Sequence, residues 1–211
     1  MARQTYESFL KTIQRGDTRI LFAIDLDDPM GQNYTGVPLL TTRAKSMGQA
    51  LNEAVLYVLG ESLVSAPTYI GMIGDDNRFR SPGWDVAIHD ALDKMGGGIA
   101  YGNDLWHHDA LPTAWFVSAS IVQALGWMAM PTLTHLYMDN TWRTIGIGID
   151  HYCYIPEAII EHLHPTYGKG QWDDSYRKTN SPEMYEHDRL AFEEWLREQA
   201  PVAIEVARAA L

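Results

Sequence analysis

Short apolar runs that stop abruptly in polar, metal-type side chains constrain this chain most. "TRILFAI" runs straight into "DLDDP", and "TYIGMIG" runs into Asp75 and Asp76. "GIAYG" ends in Asn103 and Asp104, and "CYIPEAIIEHLHP" ends in His162 and His164. Helix-period segments separate these runs. "TTRAKSMGQALNEAVLYVLGE" is predicted helical from about Thr42, "GWDVAIHDALDKMGG" is stopped by Gly96, and "DNTWRTIGIGI" makes a short helix. "AWFVSAS" reads as a strand leading into the helix "IVQALGW". At the start, "ARQTYESFLKTIQRG" reads as an amphipathic helix with Tyr6, Phe9, Leu10 and Ile13 on one face and Gly16 as its stop. Strands alternating with helices predict an α/β fold, an open and mostly parallel sheet flanked by helices. Ligands bind such sheets at the carboxyl ends of the strands, so the four polar clusters are expected to converge. No repeat or linker interrupts the chain before about residue 165. The expected organisation is a catalytic domain over 1–175 with a helical C-terminal extension over 176–211, broken at Pro201.

Charge narrows the partners. The formal net charge is −11, which argues against a phosphate backbone as the main partner. An acidic protein that handles phosphate usually does so through a divalent cation held by its surplus carboxylates. Cys153 is the single cysteine, so no intrachain disulfide forms and a reducing compartment is expected. Residues 1–17 have no apolar core of the kind a signal peptide needs. The longest apolar stretch, "AWFVSASIVQALGWMAM", carries Ser118, Ser120 and Gln123 and ends at Pro131, so it reads as buried and not membrane-spanning. A cytoplasmic location is expected. Seven tryptophans suit either a Trp-rich core or stacking on sugars and bases.

Asp75 and Asp76 pose the sharpest local question. Adjacent carboxylates repel and resist burial unless something positive is beside them. Arg78 and Arg80 could serve, in a salt-bridged turn. A Mg2+ or Mn2+ ion could serve equally, since both prefer oxygen ligands and bridge phosphate oxygens. On a strand, His162 and His164 would point to one face and could complete a metal site, or pair as ordinary hydrogen-bonded histidines. "HHD" at 107–109 has the residues of a metal cluster but sits in a polar loop, and the loop is the favoured reading. Asp139, at the start of "DNTWRTIGIGI", fits a helix cap or a general base at a pocket mouth. Lys169, between glycines in "GKGQWDD", is a solvated loop lysine or a cation over a diphosphate.

Taken in order, "FAIDLDDP", "SMGQALNEAV", "IGDDNRFRSPGWD", "GIAYGNDL", "LPTAWFVSASIV", "LYMDNTWRTIG" and "IEHLHPTYGKGQWDD" resemble the nucleotide-sugar glycosyltransferases of the GT-A fold. The likeness is to the compact, family 2-like enzymes of bacteriophage genomes, and it spans about residues 19–174. It implies a single GT-A (Rossmann-like) domain and a metal-dependent transfer from a nucleotide-diphosphate sugar to an acceptor hydroxyl. Asp25, Asp27 and Asn52 would face the donor nucleotide. Asp75 and Asp76 match the Asp-x-Asp-type motif, with Asp75 beside the donor and Asp76 on the metal, Mn2+ or Mg2+. His162 or His164 would be the late metal ligand, and Lys169 would touch phosphate. Gly102, Asn103 and Asp104, with Trp115 nearby, would line the sugar or acceptor pocket. Asp139 would deprotonate the acceptor in an inverting reaction.

A UDP-sugar is the first expectation for the donor. The acceptor would be a glycan, a protein or a modified DNA base, in the host cytoplasm if the gene is a phage's. The resemblance departs at one place: such enzymes usually open with a central strand, and this chain opens on a helix. A truncation upstream, or another segment or another chain filling that place, is expected, and the gap raises the prospect of a homo-oligomer. Two other readings stay open, a sugar-nucleotide nucleotidyltransferase and a non-catalytic binding module derived from the same fold.

Overall fold

The computed structural model describes residues 1–28, 31–60 and 67–211. The expected α/β alternation is present. In chain order the elements are α1 (Ala2–Thr12), β1 (Phe22–Asp25), β2 (Leu39–Thr42), α2 (Met47–Gly60), β3 (Tyr69–Met72), β4 (Asn77–Phe79), α3 (Trp84–Met95) and β5 (Ile99–Asn103). There follow β6 (Trp115–Ser118), α4 (Ala119–Leu125), α5 (Met138–Ile149), β7 (Tyr152–His162), α6 (Asp174–Thr179), α7 (Pro182–Glu198) and α8 (Ala200–Ala209). Short 3-10 turns lie at Gly31–Tyr34 and Pro165–Tyr167.

Five strands form one sheet in the order β3-β6-β5-β7-β4, and β1 and β2 form a second. Strand pairing is mixed. β1–β2 and β5–β7 are parallel, whereas β3–β6, β5–β6 and β4–β7 are antiparallel. Connection decides direction: the stretch from β5 to β7 contains two helices and can return the chain to the same end, whereas the loop from β5 to β6 only reverses it. Among the described residues, β1 pairs only with β2 and β3 only with β6, so no strand joins the two sheets.

Side-chain alternation gives the larger sheet two apolar faces. Ile99, Tyr101, Trp115 and Val117 enter one core with Val55 of α2, Ile121 of α4, Trp142 of α5 and Trp195 of α7. Ala200, Ala203 and Ala207 of α8 are buried in the same core, so the C-terminal helices complete it. Ala100 and Phe116 point the other way, toward Phe9 of α1 and Trp84, Ile88 and Leu92 of α3.

Three boundaries differ from those read in the sequence. α1 stops at Thr12, short of Gly16, because the Asp85 carboxylate takes the Gln14 and Arg15 N–H groups and draws the chain out of the helix. Its buried stripe is Ala2, Thr5, Phe9 and Thr12, and Leu10 faces solvent. α2 starts at Met47, because Thr42 is held in β2 opposite Asp25. The stretch after Asp76, read as a loop, is β4, paired to β7 through Asn77 opposite His162.

Candidate active site

The turn between β3 and β4 carries both aspartates. Gly74 donates its N–H to Asn77 Oδ1 at 2.6 Å, and this tight turn sends the two carboxylates to different partners. Thr5 donates its hydroxyl to the Asp75 carbonyl, and Arg78 donates a guanidinium N–H to the same oxygen at 3.3 Å. The Arg78 guanidinium is otherwise committed to neutral oxygens, namely Thr5 Oγ1 and the Asn77 carbonyl, both at 2.7 Å, and Gln4 Oε1 at 2.6 Å. Arg80 pairs with Glu161 at 2.6 Å. Among the described residues, neither arginine forms an ion pair with Asp75 or Asp76. The salt-bridged turn considered from sequence is therefore not the arrangement found.

Asp76 instead meets the end of β7. Its Oδ2 is 3.1 Å from His162 Nε2 and accepts the Tyr176 hydroxyl at 2.5 Å. The register that sets Asn77 opposite His162 makes this meeting unavoidable. Backbone bonds reinforce it: Leu163 donates its N–H to the Asp76 carbonyl, and His162 donates to the Asp104 carbonyl, both at 3.2 Å. Burial pushes Asp76 up, but His162 and Tyr176 outweigh that and hold its carboxyl below the ordinary range. Burial and then the neighbouring Asp76 charge push Asp75 up. The adjacent carboxylates are thus driven apart, the pattern that separates roles in catalytic pairs. Burial lowers His162, yet its bond to Asp76 and the charge there raise it overall. Its Nδ1 is buried without a hydrogen-bond partner.

His164 lies just past β7, with its ring 5.4 Å from that of His162 and 5.1 Å from that of Tyr176. Its Nδ1 accepts the Thr166 N–H at 3.2 Å and caps the 3-10 turn. Burial, and then His162, lower its basicity. Among the described residues, no group of three or more His, Cys, Asp or Glu side chains converges as a metal cage. Of Asp75, Asp76, His162 and His164, Asp76 and His162 are in direct contact.

The third strand end builds a loop. Asp104 is buried and accepts the N–H groups of Trp106 at 2.9 Å, His107 at 2.7 Å and His108 at 3.2 Å. Its other oxygen takes the His107 ring at 2.8 Å and the Thr113 hydroxyl at 3.1 Å. Burial pushes this carboxyl up, but His107 and the backbone N–H groups hold it far below the ordinary range. Asp104 therefore shapes the loop. Asn103 helps, its Oδ1 accepting the Leu105 N–H at 2.8 Å.

Asp139 occupies the first turn of α5, two residues past Tyr137, whose φ of 63° is unfavourable for a residue with a side chain. Its Oδ1 accepts only the adjacent Asn140 N–H, at 2.8 Å, among the hydrogen bonds described. Burial pushes the carboxyl up; the Asn140 N–H and the charges of His107 and His162 pull less strongly the other way.

Other residues singled out in the sequence are dispersed. Asp25 closes β1 and accepts the Thr42 hydroxyl at 3.2 Å, and Asp27 is exposed just beyond it. Tyr34, in the turn that follows, links this end to the site, its hydroxyl 3.3 Å from Asp75 Oδ2. Asn52 ties α2 to the segment after α4, accepting the Met128 and Ala129 N–H groups and donating to the Ala129 carbonyl, each at 2.8 Å. Lys169 pairs with Glu161 at 2.9 Å, and Trp115 is buried in the larger core. Sequence reading missed Tyr34, Tyr167 and Tyr176. Tyr176 is 100 residues from Asp76, and no local pattern marks it.

The fold is a Rossmann-like α/β domain similar to that of a solved mannosyltransferase. A mannosyltransferase from Pyrobaculum calidifontis, solved in complex with GDP-Man and Mn2+, superposes on 99% of this chain and 69% of its own, with a TM-score of 0.53 and 9% sequence identity. No protein-family model matches the sequence. No curated protein matches it either. No helix among the described residues is long and apolar enough to cross a membrane.

Proposed function

We propose that the chain is a metal-dependent glycosyltransferase that moves a sugar from a nucleotide-diphosphate sugar to an acceptor hydroxyl. The observation that carries this reading is the Asp76–His162 pair at 3.1 Å, a buried carboxylate and an imidazole at neighbouring strand ends with no guanidinium on either. A carboxylate with one imidazole suits Mn2+, and a carboxylate alone suits Mg2+. Such ions commonly take one or two protein ligands and complete their shell with substrate phosphates and water. Asp76 and His162 fit that demand, and the buried His162 Nδ1 has no hydrogen-bond partner of its own. A bound ion would neutralise the charge on the departing diphosphate.

The chain's own residues supply the rest. Asp139 takes the proton of the acceptor hydroxyl while that oxygen bonds to the anomeric carbon. The bond from the anomeric carbon to the diphosphate breaks, and the nucleoside diphosphate leaves. A raised carboxyl pKa makes Asp139 a stronger base than an ordinary aspartate. This assignment implies inversion. Asp25, Asp27 and Asp75 lie on the donor side, with Tyr34 joining β1 to Asp75. Lys169 would have to leave Glu161 to reach phosphate.

A thermal-shift panel of UDP, GDP, UDP-sugars and GDP-mannose, with and without Mn2+, tests the reading. Ligand at a hundredfold excess over its dissociation constant stabilises the folded state by about 2.7 kcal/mol. A rise with one nucleotide that requires Mn2+ supports it and names the donor base. Silence across the panel overturns it.

A further inference from the structure

Trp84, Trp115, Trp142 and Trp195 are buried in the two cores, whereas Trp106 and Trp172 stand in solvent at 51% and 44% exposure. Both exposed indoles flank the same cluster. Trp172 lies 6.1 Å from the His164 ring. Trp106 stacks on Tyr167 at 4.4 Å and 18°, and Tyr167 is itself 5.4 Å from His164. Tyr167 thus covers one face of Trp106 and leaves the rest of the indole to solvent.

The loop that presents Trp106 is strained and closely hydrogen-bonded. Leu105 and His108, at φ of 62° and 52°, adopt the left-handed conformation that residues with side chains avoid. Asp104 offsets that strain by accepting three successive N–H groups, and His107 Nε2 lies 3.1 Å from the Tyr167 hydroxyl. A flat apolar ring held this firmly loses little conformational freedom when a ligand stacks on it. The electron-rich face of an indole attracts the polarised C–H groups on the flat side of a pyranose. Exposed His108 and Asp109 beside it offer partners for hydroxyls. The loop joins the cluster through Tyr167, whose ring lies 5.3 Å from that of His107 and 6.1 Å from that of His162.

We propose that Trp106 is the stacking platform for a pyranose ring of the acceptor, and that the acceptor is a glycan. The acceptor assignment rests on the glycosyl-transfer reading, but sugar binding at Trp106 can be measured without any donor. The test is saturation-transfer NMR and calorimetric titration of the full chain with gluco-, manno- and galacto-configured di- and trisaccharides. The expected result is contact from the ring C–H protons of at least one sugar series, weakened about tenfold or more in Trp106→Ala and only a few-fold in Trp106→Phe. Unchanged melting of both variants would show that the loop keeps its structure.

Absence of binding by every sugar would overturn the proposal, as would equal binding by wild type and Trp106→Ala. In a separate arm, the Mn2+-dependent shift with a sugar nucleotide is expected to survive Trp106→Ala. Its loss would move the platform to the donor and overturn the acceptor assignment. Trp106-dependent sugar binding with no nucleotide shift at all would sink the transferase reading and leave a glycan-binding surface.

Discussion

Asp76 and His162 are 86 residues apart in the chain and 3.1 Å apart in the fold. The β4–β7 register forces the meeting, and Tyr176 closes over the carboxylate from α6. Asp76→Asn keeps the shape and removes the charge. We expect it to abolish the Mn2+-dependent part of nucleotide stabilisation and to lower transfer by about a hundredfold or more. His162→Gln should do the same more weakly. A full Mn2+-dependent shift in Asp76→Asn would remove this residue from the metal.

Asp139→Asn should separate chemistry from binding. Loss of a general base costs about 10²–10⁴ in rate. The nucleotide shift should be intact, because the donor side does not include this residue. The base must be ionised, and burial raises its carboxyl above the ordinary 3.8. Activity of the wild type should therefore fall as pH drops through that raised value, with the acid limb above pH 3.8 in the pH–rate profile. Normal transfer by Asp139→Asn would place the base elsewhere.

Asp188 should govern acid stability. Fully buried, it accepts the N–H groups of Thr134 at 3.0 Å, His135 at 2.8 Å and Leu136 at 2.7 Å. Burial pushes its carboxyl up, but those N–H groups and His187 hold it lower than the ordinary 3.8. A depressed carboxyl contributes stability above its unfolded value and loses it as pH falls toward the folded one. Asp188→Ala should cost about 3 kcal/mol at pH 7, from orphaned N–H groups. The gap between wild type and variant in urea unfolding should narrow on acidification below 3.8. A gap that stays constant with pH would contradict the ionised-cap assignment.

Gly102 should tolerate no side chain. A Cβ there would lie 2.2 Å from the Ala158 carbonyl oxygen, across the bulge where Gly102 faces Ile155 and Asn103 faces Ile159. Backbone cannot yield as a flexible side chain does. Gly102→Ala should destabilise by about 1–3 kcal/mol and disturb the Asp104 loop that follows. Unchanged melting together with unchanged Trp106 fluorescence would argue that the bulge relaxes freely.

Much was written locally. The apolar runs of β3, β5 and β6, the period of α3 and α5, and the stop at Gly96 were all legible, because each depends on neighbours in sequence. β4 escaped notice because three residues carry no period, and its existence depends on β7, more than eighty positions away. Asp104 read as a pocket residue, yet its lone pairs are occupied by its own loop. Lys169 read as a free cation, yet Glu161 reaches it from β7.

By itself the sequence determined that strands would alternate with helices and that polar clusters would end those strands. Periodicity and turn chemistry act over a few residues and can be read there. Tertiary structure alone decided which clusters meet. It joined Asp76 to His162 and Tyr176, gave Arg78 to neutral oxygens, and stood Trp106 on Tyr167. Those choices follow from strand register and loop closure, long-range constraints that local sequence does not carry.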